Sequence, residues 1–390
     1  MATATSPISR LPNWVTALAP LLVIAVMIVG FVALNPIGSL REVPPVEAIA
    51  IERTILEPNS IELKVRNDGP DEVTIAQVLV NDAYWTHSID DRKLGRLESE
   101  TLTIPYPWDE GLPVNIALVT ESGVTIEHEI EAAVATPEVD GNTVLIYALL
   151  GLYIGVIPVA IGLLWFPALR RASKAWIGFL LALTVGLLAF LLIDTIAEGL
   201  EIGAEATAAF DGVALFGIGA LAAVLLLNFV EGWTRRKSGT VGGLALAYLM
   251  AAGIGLHNLG EGLAVGAALA AGEIALGTFL IIGFALHNTT EGLAIVSPLG
   301  LVKDRPPLRH FIALGAVAGV PTIFGAWAGG FVFSAAWGAF AFGIAAGAIA
   351  QVIWTITRSL PRDAGLASSF GALGFAAGLA IMYVTGLFTA

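Results

Sequence analysis

The chain has 390 residues, 56% of them hydrophobic and 13% charged, with a mean hydropathy of +0.82. Soluble domains carry about 25% charged residues, so this composition excludes that class and indicates a polytopic membrane protein. The formal net charge of -13 excludes a nucleic-acid partner on electrostatic grounds, and the absence of cysteine rules out disulfides and thiolate metal ligands.

In chain order, runs of about 20 apolar residues, the length that crosses a hydrocarbon core, fall at roughly 14–35, 142–167, 176–200, 208–230, 241–269, 274–298, 309–332, 335–357 and 366–388. The first extends over more than 18 residues from Val15 and has no small-x-small cleavage site before Asn35-Pro36. It reads as a retained signal anchor rather than a cleaved peptide. The expected organisation is therefore a cytoplasmic terminus and anchor over 1–36, a hydrophilic domain over 37–140, and eight helices over 141–390.

The hydrophilic domain alternates apolar and polar residues in Ile61–Arg66, Val73–Val78 and Thr125–Ile130. Turn sequences stand at Asn67-Asp68-Gly69-Pro70 and Asp109-Glu110-Gly111. This pattern predicts antiparallel β-structure, and roughly 100 residues of it suggest a small immunoglobulin-like sandwich. His87 and His128 lack an evident set of co-ligands and read as ordinary surface histidines, and Asp90, Asp91, Glu98 and Glu100 as a solvated face.

Basic residues follow alternate spans: Arg170, Arg171 and Lys174; Arg235, Arg236 and Lys237; Lys303, Arg305 and Arg309; Arg358 and Arg362. The loop between the third and fourth spans is acidic instead, with Glu198, Glu201, Glu205 and Asp211. By the positive-inside rule the amino terminus is cytoplasmic, while the β domain and the carboxyl terminus are extracytoplasmic. Small-xxx-small pairs such as Gly325/Gly329 and Gly374/Gly378 predict close helix packing.

Two matched hexapeptides lie inside the most apolar part of the chain: His257-Asn258-Leu259-Gly260-Glu261-Gly262 and His287-Asn288-Thr289-Thr290-Glu291-Gly292. Residues i and i+4 share a helix face, so each histidine stacks with its glutamate, and Asn258 and Asn288 lie on the adjoining edge. The segment Ala270–Glu273, midway between the motifs, predicts a turn and an antiparallel hairpin with both histidines on the order of 20 Å below it. Ionisable groups at that depth are tolerated only where something compensates the lost hydration. Two imidazoles and two carboxylates suit Zn(II), Fe(II), Mn(II) and similar divalent ions, whereas Cu(I) lacks soft ligands here.

These motifs resemble the paired fourth- and fifth-helix signatures of the ZIP family (Zrt/Irt-like proteins) of divalent metal transporters, and the resemblance covers roughly residues 140–390. It implies an eight-helix core in which His257, Glu261, His287 and Glu291 hold one ion and Asn258 and Asn288, bridged by the same glutamates, line a second site. It further implies an external entrance at Asp194 and Glu198, helices that move against a dimerising scaffold, and hence a homodimer in the lipid bilayer. The chain departs from the family pattern in having Gly260 and Thr290 where proline is usual, Asn288 where an acid is common, no carboxylate near Gly319–Thr322, and no histidine-rich loop. The second site is accordingly expected to be weak.

The expected function is import of a divalent transition metal, Zn2+ or Fe2+ foremost with Mn2+ and Cd2+ in the same class, from outside to cytosol. The metal is the transported ligand and no reaction is catalysed. The alternatives are a membrane-embedded metal-dependent hydrolase, which lacks an HExxH pattern and an obvious general base here, and a metal sensor whose outer domain binds a partner.

Overall fold

A computed structural model describes residues 13–34, 46–238, 243–272, 274–302, 304–360 and 365–386; Glu273, Lys303, Arg362 and the Asn35-Pro36 boundary lie outside them. The chain divides into two compact units, residues 1–46 and 47–390. The first holds helix α1 (Asn13–Leu34), which coincides with the first predicted span.

The second unit begins with strands β1 (Ile49–Glu57), β2 (Ser60–Asn67), β3 (Val73–Val80), β4 (Ala83–Trp85), β5 (Lys93–Leu94), β6 (Ser99–Ile104), β7 (Val114–Thr120) and β8 (Thr125–Ile130). They form a sheet of order β1-β2-β6 and another of order β4-β3-β7-β8, with β5 paired to β3. Every pairing is antiparallel. Alternation sets the burial: Ile61, Leu63 and Val65 are buried while Glu62, Lys64 and Arg66 are not, and the buried set joins Val73, Ile75, Leu102, Ile104 and Leu118 in one core. The predicted turn after β2 is held by buried Asn67, whose side-chain amide donates to the Asp71 and Leu94 carbonyls at 2.7 and 2.9 Å while its oxygen accepts from the Gly69 N–H at 2.9 Å. His128 Nε2 and Thr54 Oγ1, 2.8 Å apart, link the two sheets.

The helices are α2 (Gly141–Gly151), a π-helical turn Leu152–Val156, α3 (Ile157–Leu163), α4 (Phe166–Leu169), α5 (Lys174–Glu205), α6 (Gly212–Ser238), α7 (Leu244–Ala270), α8 (Ile274–Val296), α9 (Leu308–Val332), α10 (Ala335–Ser359) and α11 (Ser369–Gly386). Six described segments are long and apolar enough to cross a membrane: Gly141–Leu169, Lys174–Glu205, Ala208–Trp233, Ile274–Gly300, Leu308–Val332 and Ala335–Arg358. The protein is thus a mostly helical membrane protein with a small β domain. Helix α7 has the length but not the apolarity, because His257, Asn258 and Glu261 occupy its middle; most of its residues are buried among other helices.

Helix ends follow from local chemistry. Asp140 accepts from the Thr143 N–H at 2.7 Å to cap α2, and Ser173 and Ser334 cap α5 and α10, each satisfying an orphan first-turn donor. The predicted α7–α8 turn is real: Gly272 adopts φ +81, a conformation that disfavours any residue with a Cβ.

Two packing groups emerge. Helices α2, α3, α7, α8 and α9 pack chiefly on one another, as do α5, α6, α10 and α11, and α10 against α7 is the main contact between the groups. The expected close approaches are present: a Cβ on Gly325 would lie 2.0 Å from the Leu259 carbonyl oxygen, and one on Gly378 2.1 Å from that of Leu183. The β domain sits on the bundle end formed by the α5–α6, α7–α8 and α9–α10 connections. Asp68 accepts from the Ala208 and Ala209 N–H groups at 2.7 and 2.8 Å, Arg53 donates to the Phe331 carbonyl, and Val134 packs on Gly272.

Candidate metal centre

The site grows out of the α7–α8 hairpin. Both helices run unbroken through their motifs, so i and i+4 residues stack and the antiparallel arrangement turns the two faces toward each other. Gly260 and Thr290 do not open their helices; the Thr290 hydroxyl donates to the His287 carbonyl at 2.6 Å. The irregular backbone lies in the neighbouring helices instead. One irregularity is the π-helical turn at Leu152–Val156, whose Ile154 carbonyl accepts from Asn288; the other is Pro321 inside α9, which leaves the Val317 carbonyl without its helical donor.

The motif glycines, Gly262 and Gly292, have a packing reason. A Cβ at Gly262 would lie 2.1 Å from the Thr322 carbonyl oxygen, and one at Gly292 would lie 2.2 Å from that of Val159. These approaches seat α7 on α9 and α8 on α3 at the level of the ligands.

His257, Asn258, Glu261, His287, Asn288 and Glu291 are all buried, at 7% exposure or less. Glu261 is the hub: Oε1 contacts His257 Nε2 at 3.1 Å and also meets His287 Nε2, while Oε2 accepts from Asn288 Nδ2 at 2.7 Å. The imidazole centroids are 6.4 Å apart, and Phe284 holds the His287 ring edge-on at 5.4 Å. Ligand atoms of His257, His287 and Glu291 lie within 4.8 Å of one another, among the described residues the one cluster of three or more such groups. Asn258 and Asn288 donate to the Ala318 and Ile154 carbonyls at 3.0 and 3.1 Å.

The acceptors decide what the site can do. Neither oxygen of Glu291 has a hydrogen-bond partner, nor do Asn258 Oδ1 and Asn288 Oδ1, and all four atoms are buried. A buried group without a partner costs several kcal/mol when charged. An array of acceptors beside two imidazoles, without donors to match, is the environment a divalent cation satisfies.

Asp194 and Glu198 are not part of this cluster: both are exposed on α5. The α5 residue that reaches the centre is buried Thr195, whose Oγ1 lies 3.5 Å from His257 Nδ1 and donates to the Leu191 carbonyl at 2.7 Å. Sequence reading missed Thr195, though its position directly after Asp194 inside an apolar span was a signal. The π-turn carbonyl of Ile154 had no such signal, because it depends on how the backbone winds.

In the β domain, burial lowers the pKa of His128, and burial together with nearby Arg92 lowers that of His87. The two do not form a ligand cluster with other groups.

No family model matches this chain, and none of the curated proteins matches it.

Proposed function

We propose that the protein carries a divalent transition metal ion across the membrane through the His257/Glu261/His287/Glu291 centre, in the manner of the ZIP family its motifs resemble. The observation that carries the reading is the convergence of two buried imidazoles on two buried carboxylates, one of which has no donor at hydrogen-bond distance. Zn(II) and Fe(II) fit the borderline nitrogen and oxygen donors best, with Mn(II) and Cd(II) in the same class. Asn258 and Asn288 would hold a second ion weakly, because they bring no charge of their own. Asp194 and Glu198, exposed on α5, would attract the ion before it enters.

Further features support the reading. The helices after residue 140 can be counted as an eight-helix core once α7 and α11 are included with the six apolar segments. Their separation into two packing groups, with the metal ligands all in one group, suits movement of one group against the other, and the second group would form the dimer scaffold. The strand orders β1-β2-β6 and β4-β3-β7-β8 suit an immunoglobulin-like sandwich. The charge pattern of the loops orients the amino terminus inward with the β domain and carboxyl terminus outward, and α1 serves as an anchor.

The test is uptake of radioactive zinc, iron and manganese into proteoliposomes containing the full chain, with protein-free vesicles alongside. Uptake that saturates with metal concentration is expected, zinc or iron being the best substrate. Metal binding without flux would reject transport and favour a sensor, and metal-dependent hydrolysis without flux would favour an enzyme.

A further inference from the structure

Between the β domain and the helix ends lies a cavity of about 810 Å³, within the range of small-molecule sites. Its two walls differ in chemistry. The β1–β2 wall presents Arg53, Lys64, Arg66 and Glu52, and the helix-end wall presents Phe210, Leu215, Phe333, Trp337 and Phe340, with Glu205 at its edge.

The polar wall is unusual for this domain. Arg53, Lys64, Arg66, Arg92, Lys93 and Arg96 are the only basic residues between positions 47 and 140, a stretch rich in Asp and Glu, and three of them face this cavity. The strand register sets Arg53 directly opposite Lys64, and Arg66 follows two residues along the same face. Like charges opposed across a strand pair are destabilising. A register slip between Ile51 and Arg53 leaves Glu52 without a cross-strand partner, and its carboxylate bonds Arg66 Nε at 2.5 Å and lies 3.6 Å from Lys64 Nζ. One carboxylate thus serves two cations, and Arg53 uses one of its donors, on Nη1, for the neutral Phe331 carbonyl.

The other wall is formed by the ends of α5, α6, α9 and α10, helices that can cross a membrane, so the cavity lies at the membrane boundary. Trp337 is 71% exposed at that level, where amphipathic aromatic rings favour the lipid interface. The occupant that matches an excess of cations on one side, apolar rings on the other and this depth is an amphiphile with an anionic head.

We propose that this cavity binds one anionic phospholipid of the surrounding leaflet, its phosphate between Arg53 and Lys64 and its acyl chains over Phe333, Trp337 and Phe340. The lipid would complete the seam between the β domain and the bundle. The proposal is independent of metal transport.

It is tested on the full chain in nanodiscs of equal phosphatidylglycerol and phosphatidylcholine, by native mass spectrometry of retained lipid and by quenching of Trp337 emission with brominated lipids, using Trp337→Phe to isolate that signal. Retention of about one phosphatidylglycerol per chain is expected, with Trp337 quenched at least threefold more by the brominated anionic lipid. Lys64→Gln, which leaves the Arg53 tie to α9 in place, and the double variant R53Q/K64Q should each lose that preference while remaining folded. Equal retention of the two lipids, or a preference unchanged in both variants, would overturn the proposal. Displacement of the bound lipid by millimolar inorganic phosphate would also overturn it, assigning the cations to a free anion instead.

Discussion

At the centre, Asn288 donates its side-chain amide to Glu261 Oε2 at 2.7 Å, and that single donor shapes the charge of the site. An aspartate in its place would set carboxylate against carboxylate, an arrangement that like-charge repulsion opposes until a cation lies between them. Asn288→Asp is therefore expected to raise the number of tightly bound Mn(II) or Zn(II) ions from one to two per chain, and to shift preference toward the harder ion. Calorimetric titration checks this; two equally tight sites already present in the unmodified protein would contradict the weak second site.

His128 carries a prediction outside the membrane. It bridges the sheets through Thr54, and burial lowers its pKa below 6.5. The unfolded chain thus binds a proton more readily than the folded one as the pH falls below about 6.5, so stability present above that value is lost progressively until the folded histidine also protonates. Between pH 7.5 and 5 the melting temperature of the native protein should fall by more than that of His128→Gln, whose amide keeps a partner for Thr54 without titrating. Identical pH profiles would remove His128 from the account.

At the scale of elements, the seams between helices depend on glycine. Gly262 places α7 so near α9 that a Cβ would fall 2.1 Å from the Thr322 carbonyl oxygen, whereas a Cβ at Gly217 on α6 meets nothing within 4 Å. Overpacking of this kind costs about 1–3 kcal/mol. Gly262→Ala should lower the melting temperature by several degrees and weaken metal binding with it, while Gly217→Ala should do neither; thermal unfolding in detergent distinguishes them.

Much of this scale was legible in the chain. The paired motifs, their spacing of 30 residues and the turn at Gly272 are local signals, and each apolar run has a helix within it. The strands Ile61–Arg66, Val73–Val78 and Thr125–Ile130 were equally plain from their period-two alternation, although β3 slips register between Ile75 and Gln77. Strands β1, β4, β5, β6 and β7 were not predicted; β4 and β5 are only three and two residues long, too short to show a period. The Ile154 carbonyl and the slip beside Glu52 were hidden for another reason. Each acquires its role from a segment distant in sequence, and nothing in the local pattern records that pairing.

At the scale of the molecule, the helices separate into two packing groups and the ligands are confined to one of them, the arrangement on which the proposed movement of one group against the other rests. The β domain bears on both groups, through Asp68 on the α5–α6 connection and through Arg53 on the end of α9. Among the described residues it contributes none to the metal cluster, and its contacts seat it on the bundle end.

In the proposed function the metal crosses through the buried His/Glu centre. Zinc uptake by proteoliposomes carrying equal amounts of the native protein and of Glu291→Gln is the test, because the amide preserves volume while removing the carboxylate of the centre that has no donor at hydrogen-bond distance. Saturable uptake by the native protein and loss of at least nine-tenths of it in the variant are expected, as befits removing a buried anion from a divalent site. Near-normal uptake by a folded, membrane-inserted Glu291→Gln would contradict it.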